Sequence, residues 1–369
     1  MKWLKKNEEV LIPIIAILFS LTVAGGVIAI LGKNPFAAFG NLLQGSGILP
    51  KLRYAGGKSM LTDFCSFLNY WTPMIFAALG VAVALKAGLF NIAISGQMLA
   101  GGFASSIIVG YSSLNAVIAK PLVIIISIVA GGVVGALIGW LKYRFNINEV
   151  VSSIMVNYIL QYVVAFFINM YYVDPVSRQS RSVGDASRLT LTNVDFGGYR
   201  YDIPFGMILA LVVAIVIQFI FKKSTFGYEL KAVGLNRKAA QYAGMDVGKT
   251  MISAMFVSGA LAGLAGATYY LGYFASIQPK VLAAIGYDSI AVALLGNSNP
   301  IGILFASFLI SVIGKGSTYM SSTAGLDAEI SSVIISLILL FSACRVYIRH
   351  CIKKATDKRK TEVEKCSRK

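Results

Sequence analysis

The sequence predicts an all-α membrane protein, a polytopic bundle of about ten transmembrane helices. Of its 369 residues, 57% are hydrophobic and only 13% are charged, a balance that excludes an ordinary water-soluble globular domain. Apolar runs of the roughly 20 residues that a helix needs to cross a bilayer recur from Val10 to Leu340. The runs are continuously apolar and do not alternate, which excludes a closed β-barrel.

The charge pattern indicates membrane topology and argues against a nucleic-acid partner. The formal net charge is +17, but Lys and Arg cluster at the ends of the apolar runs, where they orient a protein in the bilayer. This bias predicts that both termini lie in the cytoplasm, on the inner side of the cell membrane. A membrane domain then covers residues 1–344, and a basic cytoplasmic tail covers 345–369. The four Cys and the single His show no ligand spacing, so we expect no metal and no cofactor.

The first apolar run, Val10 to Leu31, is too long for the core of a signal peptide, so we expect it to be an uncleaved first span. Residues 33–60 contain two Pro and several Gly and are expected to form an external loop or a surface helix. Two later stretches, near 88–97 and 283–297, are interrupted by Gly and polar residues. Each is expected to be a broken or short helix of the kind found in transport proteins.

Polar side chains within the apolar runs are the candidates for a solute pathway. Asn91 and Gln97 lie at the first break, and Asn157, Gln161 and Asn169 recur at helical spacing on one stripe. An amide stripe facing lipid would be unfavourable, so we expect it to face the bundle interior. The residues at the break are equally compatible with a pathway and with hydrogen bonds that only join helices.

Small residues predict close contacts between helices. Glycines recur every four residues in one run and at similar spacing in another, and such ladders allow helix backbones to approach. The two sets are Gly131, Gly135 and Gly139, and Gly259, Gly263 and Gly266.

Two polar connectors are long enough to contact other proteins. Residues 174–203 are expected outside the cell, with Arg and Asp interleaved, either as a receptor-docking loop or as a plain connector. Residues 222–250 are expected in the cytoplasm and carry six Lys or Arg. Within them, Ala239, Ala240 and Gly244 are small, as a short helix docking into a partner's groove requires.

The sequence contains a membrane pathway but no evident energy source. The segment Gly244–Thr250 has one residue too few to be a phosphate-binding P-loop. The acids Asp63, Glu149 and Asp288 lie near the ends of apolar runs. An ion-coupled carrier would instead need an acid deep in the membrane. A separate ATPase docking at 222–250 is therefore the simplest interpretation. A self-contained secondary carrier and a membrane scaffold are the alternatives.

Five sequence blocks, in this order, resemble the membrane permease of bacterial ABC importers, in the branch for simple sugars, branched-chain amino acids and nucleosides. The blocks are GLFNIAISGQMLAGG at 88–102, NEVVSSIMVNYI at 148–159, LKAVGLNRKAAQYAGMDVGKT at 230–250, SGALAGLAGA at 258–267 and GYDSIAVALLGNSNPIG at 286–302. Within this branch the chain is most similar to nucleoside permeases that work with a lipoprotein receptor. It departs from the family at 94–97, where Ile-Ser-Gly-Gln replaces the frequent Ala-Glu-Gly-Gln.

The resemblance implies an importer built from two permease subunits, here a heterodimer, two ATP-binding subunits and an external substrate-binding lipoprotein. It implies that Ala239, Ala240 and Gly244 couple the permease to the ATPase, and that the permease is not itself an enzyme. The implied solute is small and polar, a nucleoside, with sugars or branched-chain amino acids as alternatives.

Overall fold

The computed structural model describes residues 8–54, 58–196, 199–327 and 329–343, and the expected basic tail lies outside these ranges. Helices dominate, with one small hairpin between them. The elements are α1 (Glu8–Ile30), α2 (Pro35–Gly45), α3 (Met60–Lys86), α4 (Ile94–Ser105), α5 (Ala116–Phe145), α6 (Glu149–Phe167), β1 (Thr190–Phe196), β2 (Tyr199–Pro204), α7 (Phe205–Lys223), α8 (Thr225–Leu235), α9 (Arg237–Tyr242), α10 (Val247–Gly266), α11 (Ala284–Leu295), α12 (Pro300–Ala324) and α13 (Ile330–Ala343).

The predicted polytopic all-α fold is confirmed. Within the described ranges, six helices are long and apolar enough to cross a bilayer, and α1 and α2 together form a further candidate, bent by 114°. Three shorter apolar helices accompany them, namely Ile94–Gly110, Ala284–Leu295 and Ile330–Phe341. Two of these three coincide with the stretches predicted to be broken or short. The chain is therefore a multi-pass membrane protein.

Three helices end in π-helical turns, which the sequence pattern did not reveal. These turns are Ser106–Gly110 after α4, Ile168–Tyr172 after α6 and Ala267–Phe274 after α10. The backbone of Gly110 contacts the 174–203 connector, the second turn leads directly into it, and the residues after the third turn pair with it. The three turns therefore lie at one end of the bundle. Such turns are rare and are frequent at functional sites.

The glycine ladders pack as predicted. Gly131 contacts the backbone of Gly259, and Gly135 contacts the backbone at Met255, so α5 and α10 run backbone to backbone. On its other side α10 touches α4, where Gly266 meets the backbone of Met98. A side chain at any of these positions would force the helices apart. Helix α10 is therefore the central helix of the bundle.

Residues 33–60 contain a helix, which is one of the two forms that the sequence predicts for this segment. Pro35 begins α2, and Asn34 caps it by accepting hydrogen bonds from the backbone N–H groups of Phe36 and Ala37. The helix turns back and packs on α12, with Leu42 buried and its backbone against Gly316. Gly45 likewise lies against the backbone of Gly316, so small residues on both helices allow this close packing.

The described residues of the 174–203 connector are held by backbone hydrogen bonds. The second half of the connector is the antiparallel hairpin β1–β2, and its first half pairs with the segment after α10. Ser180 and Val183 donate backbone N–H groups to the carbonyls of Ile277 and Ala275, both at 2.9 Å. Because Ala275 follows the far end of α10, this connector lies at the opposite end of that helix from the 222–250 segment, which precedes Val247.

Candidate functional site

Several polar side chains form a hydrogen-bonded network at the break before α4. Gly88 ends α3 with φ +67°, a conformation that favours glycine. Asn91 then donates from Nδ2 to Gln97 Oε1 at 2.9 Å and to Ser258 Oγ at 2.8 Å, while its Oδ1 accepts from the N–H of Ala93 at 3.0 Å. Asn91 and Gln97 are fully buried, so this network replaces the hydrogen bonds that the interrupted helix lacks.

Asn157 belongs to the same network. Its Oδ1 accepts a hydrogen bond from the N–H of Gly96 at 2.8 Å, and its Nδ2 donates to the carbonyl of Ile92 at 3.0 Å. The side chain is only 2% exposed, and Gly96 is the residue that lets α6 approach this closely. Three of the four candidate pathway residues are thus brought together. Their hydrogen bonds join α4, α6 and α10 around the break.

Gln161 lies apart from this network and bonds to the loop before α11, other residues of which line the cleft described below. Its Nε2 donates to the carbonyl of Lys280 at 2.5 Å, and the side chain is only partly buried. The expectation that the whole amide stripe faces the interior is wrong for Asn169, which is exposed. Asn169 lies twelve residues after Asn157, and at roughly 3.6 residues per turn this spacing turns the two side chains about 120° apart, so Asn169 is not on the stripe of Asn157.

The cleft has a volume of about 250 Å³, somewhat below the roughly 300–1,000 Å³ of typical ligand pockets. It lies at the end of the bundle formed by the 174–203 connector. The π-helical turn after α10, the segment that follows it and the start of α11 form its walls, together with Gln179. Ser95 donates to the carbonyl of the lining residue Ala283 at 3.0 Å, so the polar network supports the base of the cleft.

Aromatic rings and neutral polar groups line this cleft. Tyr269 and Phe274 pack edge to face with ring centroids 4.9 Å apart, and the Phe274 side chain is 52% exposed. Ser276 donates to Gln179 Oε1 at 2.6 Å, which leaves the amide Nε2 as a donor. The Tyr270 hydroxyl is buried beside the backbone of Ala283 and makes no hydrogen bond of good geometry within the described ranges.

The wall segment between Ala275 and Lys280 is held in an unusual backbone conformation. Ala275 has φ +61° and Lys280 has φ +60°, values that L-residues other than Gly rarely adopt. Such strain is characteristic of ligand clamps and switch regions. On the connector facing this segment, the backbone N–H of Val176 and the hydroxyl of Ser177 hold the pKa of Asp174 below its ordinary value.

An acid and a lysine lie behind the cleft. The sequence predicts Asp288 near the end of a span, and the structure places it in the second turn of α11, partly buried. It lies in the neighbourhood of Tyr70 and Tyr269. Lys315 of α12 donates to the Tyr273 hydroxyl at 2.8 Å. Both groups therefore border the aromatic wall, although neither lines the cleft.

The 222–250 segment folds into α8 and α9 at the other end of α10. Ala239 and Gly244 are exposed, and Gly244 closes α9 with φ +82°, whereas Ala240 is buried and points inward. The largest exposed apolar groups are Leu235 at 88% and Tyr242 at 93%. Asp246 caps the start of α10, and its side chain accepts a hydrogen bond from the backbone N–H of Lys249. This hydrogen bond holds the pKa of Asp246 below its ordinary value.

This segment is attached directly to the break. Gly234 of α8 packs against the carbonyl of Lys86 and against Gly88. Arg237 donates to the carbonyl of Gly88 at 3.3 Å. A continuous path of contacts thus runs from α8 and α9 through Gly88 to the Asn91 network and on to Ala283 in the cleft.

Comparison with known proteins identifies the family. The family described as the permease component of branched-chain amino acid transport systems matches residues 64–343. The chain belongs to this permease family. The match runs from within α3 to the end of α13 and includes both the cleft and the 222–250 segment.

Curated relatives extend over nearly the whole chain. It is 34% identical to the nucleoside ABC transporter permease NupB of Lactococcus lactis subsp. cremoris, with 98% of each chain covered. It is 35% identical to the guanosine ABC transporter permease NupP of Bacillus subtilis, covering 96% of this chain and 99% of that relative. It is also 26% identical to NupC, a second nucleoside permease of the same Lactococcus lactis strain, over 67% of this chain and 79% of NupC.

The sequence analysis did not identify the residues that line the cleft. The run ATYYLGYF at 267–274 reads as the end of an apolar span, and the aromatic cluster in it was a usable signal. Gln179 and Gln278 lie in a connector and a loop, where amides are common. Only the fold brings them beside the aromatic rings. The exposure of Leu235 and Tyr242 is also not evident from the sequence, because apolar residues on a short helix are usually buried.

Proposed function

We propose that this permease is one of two membrane subunits of an ATP-driven bacterial importer that takes up nucleosides. The observation that carries the proposal is the similarity over nearly the full chain to two permeases named for nucleoside and guanosine transport. The cleft and the 222–250 segment lie at opposite ends of α10, as an importer that receives solute on one face and is driven from the other requires. In this arrangement the 222–250 segment and both termini face the cytoplasm.

The energy comes from a separate ATP-binding subunit, and the permease has no catalytic activity of its own. The docking surface for that subunit is α8 and α9, where Leu235, Ala239 and Tyr242 are exposed and Gly244 shapes the end of α9. Ala240 contributes by packing inward. Exposed apolar side chains of this size on a basic segment mark a protein-binding surface.

The second membrane subunit is a different permease. This chain matches both NupB and NupC, which are two permeases of one organism, and it resembles NupB over a larger share of its length. An external substrate-binding lipoprotein delivers the solute to the 174–203 connector. Asn91, Gln97 and Asn157 hold the helices around the pathway, and Gln161 bonds to the loop beside the cleft.

The test is uptake by cells that lack the gene and by the same cells after complementation. Tritiated guanosine, glucose and leucine are compared at equal concentration. The proposal expects that the deletion abolishes saturable guanosine uptake and that the gene restores it, with glucose and leucine uptake unchanged. Loss of glucose or leucine uptake with guanosine uptake intact would overturn the nucleoside assignment.

A further inference from the structure

The cleft is chemically selective. Among the described residues that line it, none carries a charged side chain. A free amino acid carries an ammonium and a carboxylate at neutral pH, and each would be left without a charged partner in this cleft. The lining therefore favours a solute without charged groups, with a planar apolar face and a few hydrogen-bonding groups at its edge.

The aromatic wall supplies the planar contact. Phe274 projects at the mouth with about half of its surface free, and Tyr269 packs edge to face against it. Every nucleobase has a π-face, and stacking on an aromatic side chain contributes to binding whichever base is present. A hexose or a ribose offers no such face, so the wall favours the base over the sugar.

The hydrogen-bonding groups lie around this wall. The buried Tyr270 hydroxyl has no partner of good geometry in the described part of the chain, and a buried polar group in that state is costly unless a ligand satisfies it. The Gln179 amide is held by Ser276 with its Nε2 free to donate. A hydroxyl and an amide match the carbonyl and ring-nitrogen edge of a purine or pyrimidine.

We propose that this cleft binds the nucleobase of the transported solute, with Phe274 and Tyr269 as the stacking wall and the Tyr270 hydroxyl and Gln179 amide as the edge contacts. The inference rests on the proposed function. With this cleft, the permease itself contributes to substrate specificity, because it binds the base after the external receptor has released the solute.

The experiment measures binding of tritiated guanosine to the complete permease–ATPase complex in lipid nanodiscs, without receptor. Tyr270→Phe removes only the hydroxyl and is expected to raise Kd about ten-fold. Phe274→Leu is expected to raise Kd roughly ten- to a hundred-fold through loss of stacking, and Phe274→Trp is expected to retain near wild-type binding. Tyr162→Phe, on the exposed face of α6, is the matched control and leaves Kd unchanged.

Competition separates base from sugar. Guanine and inosine are expected to displace guanosine, whereas ribose, glucose and leucine are not. Displacement by ribose as strong as by guanine would overturn the assignment of the base. Wild-type Kd in both Tyr270→Phe and Phe274→Leu, or no receptor-free binding by a complex that imports guanosine, would overturn the cleft as a solute site. A wild-type complex that imports no nucleoside would instead overturn the proposed function.

Discussion

Gly234 packs against Gly88 so closely that a Cβ built on Gly88 would lie 3.0 Å from the Gly234 Cα atom. This contact joins α8, in the segment proposed to receive the ATPase, to the break that precedes α4. On the other side of the break, Asn91 bonds to Gln97 and to Ser258 of α10. Because the contact is between backbone atoms, no change of side-chain rotamer can relieve it. We therefore expect a displacement of α8 to move the break and the polar network with it.

The first prediction concerns this contact. Gly234→Ala would place a methyl group against the Lys86 carbonyl, and we expect a loss of about 1–3 kcal/mol of stability or a displaced α8. Guanosine uptake should fall while ATP hydrolysis by the assembled complex persists, because the two events become uncoupled. Gly40→Ala in α2 is the control, since an added Cβ there meets nothing within 4 Å. Equal uptake by both variants would show that the contact transmits nothing.

The second prediction distinguishes the role of Asn157, which joins helices, from that of Gln161, which bonds to the loop beside the cleft. Asn157→Leu leaves the Gly96 N–H without its acceptor, and we expect destabilisation of about 1–3 kcal/mol, seen as a lower Tm of the purified complex. Gln161→Leu should change Tm little because its bond is partly exposed, but it should weaken guanosine binding by loosening Lys280 at the cleft. An unchanged Tm for Asn157→Leu would show that the Asn157 hydrogen bonds do not stabilise the bundle.

The third prediction concerns the ATPase docking surface. Leu235→Asp and Tyr242→Asp place charges on exposed apolar positions, so the permease should insert and fold normally but fail to co-purify with the ATP-binding subunit. Val176→Asp is the control, because Val176 is 91% exposed on the connector at the opposite end of α10. If the two α8–α9 variants retain the ATP-binding subunit as well as the control does, the docking surface lies elsewhere.

Some of this architecture is predictable from sequence and some is not, for physical reasons. The contact of Gly131 with Gly259 follows from spacing alone, because four-residue repeats of glycine lie on one helix face wherever the helix sits. The exposure of Asn169 also follows from spacing, since twelve residues at roughly 3.6 per turn place it about 120° away from Asn157, and the expectation of one shared stripe overlooked this drift. The cleft depends on bringing Gln179 beside Tyr269, which lies 90 residues away in the chain, and only the tertiary fold sets that contact.

The fourth prediction concerns the 174–203 connector, the proposed docking site of the receptor. Arg178 and Arg181 are exposed, whereas Arg188 is held by Asp185 at 3.8 Å and by the carbonyl of Gly272. Reversing Arg178 and Arg181 to Glu should slow receptor-stimulated ATP hydrolysis at low salt, because exposed charges govern encounter with a partner. The defect should shrink at ionic strengths that screen charges beyond about 8 Å. Full stimulation of the double variant at low salt would place receptor docking elsewhere.

The central claim is that a nucleoside pathway in this permease is driven from the α8–α9 segment by a separate ATPase. The most direct measurement is accumulation of tritiated guanosine in proteoliposomes containing both permeases, the ATP-binding subunit and the receptor, with the proton and sodium gradients collapsed. The account predicts accumulation that requires ATP on the side of α8 and α9 and that Leu235→Asp abolishes. Accumulation without the ATP-binding subunit, driven by an imposed ion gradient, would contradict it and identify a self-contained carrier.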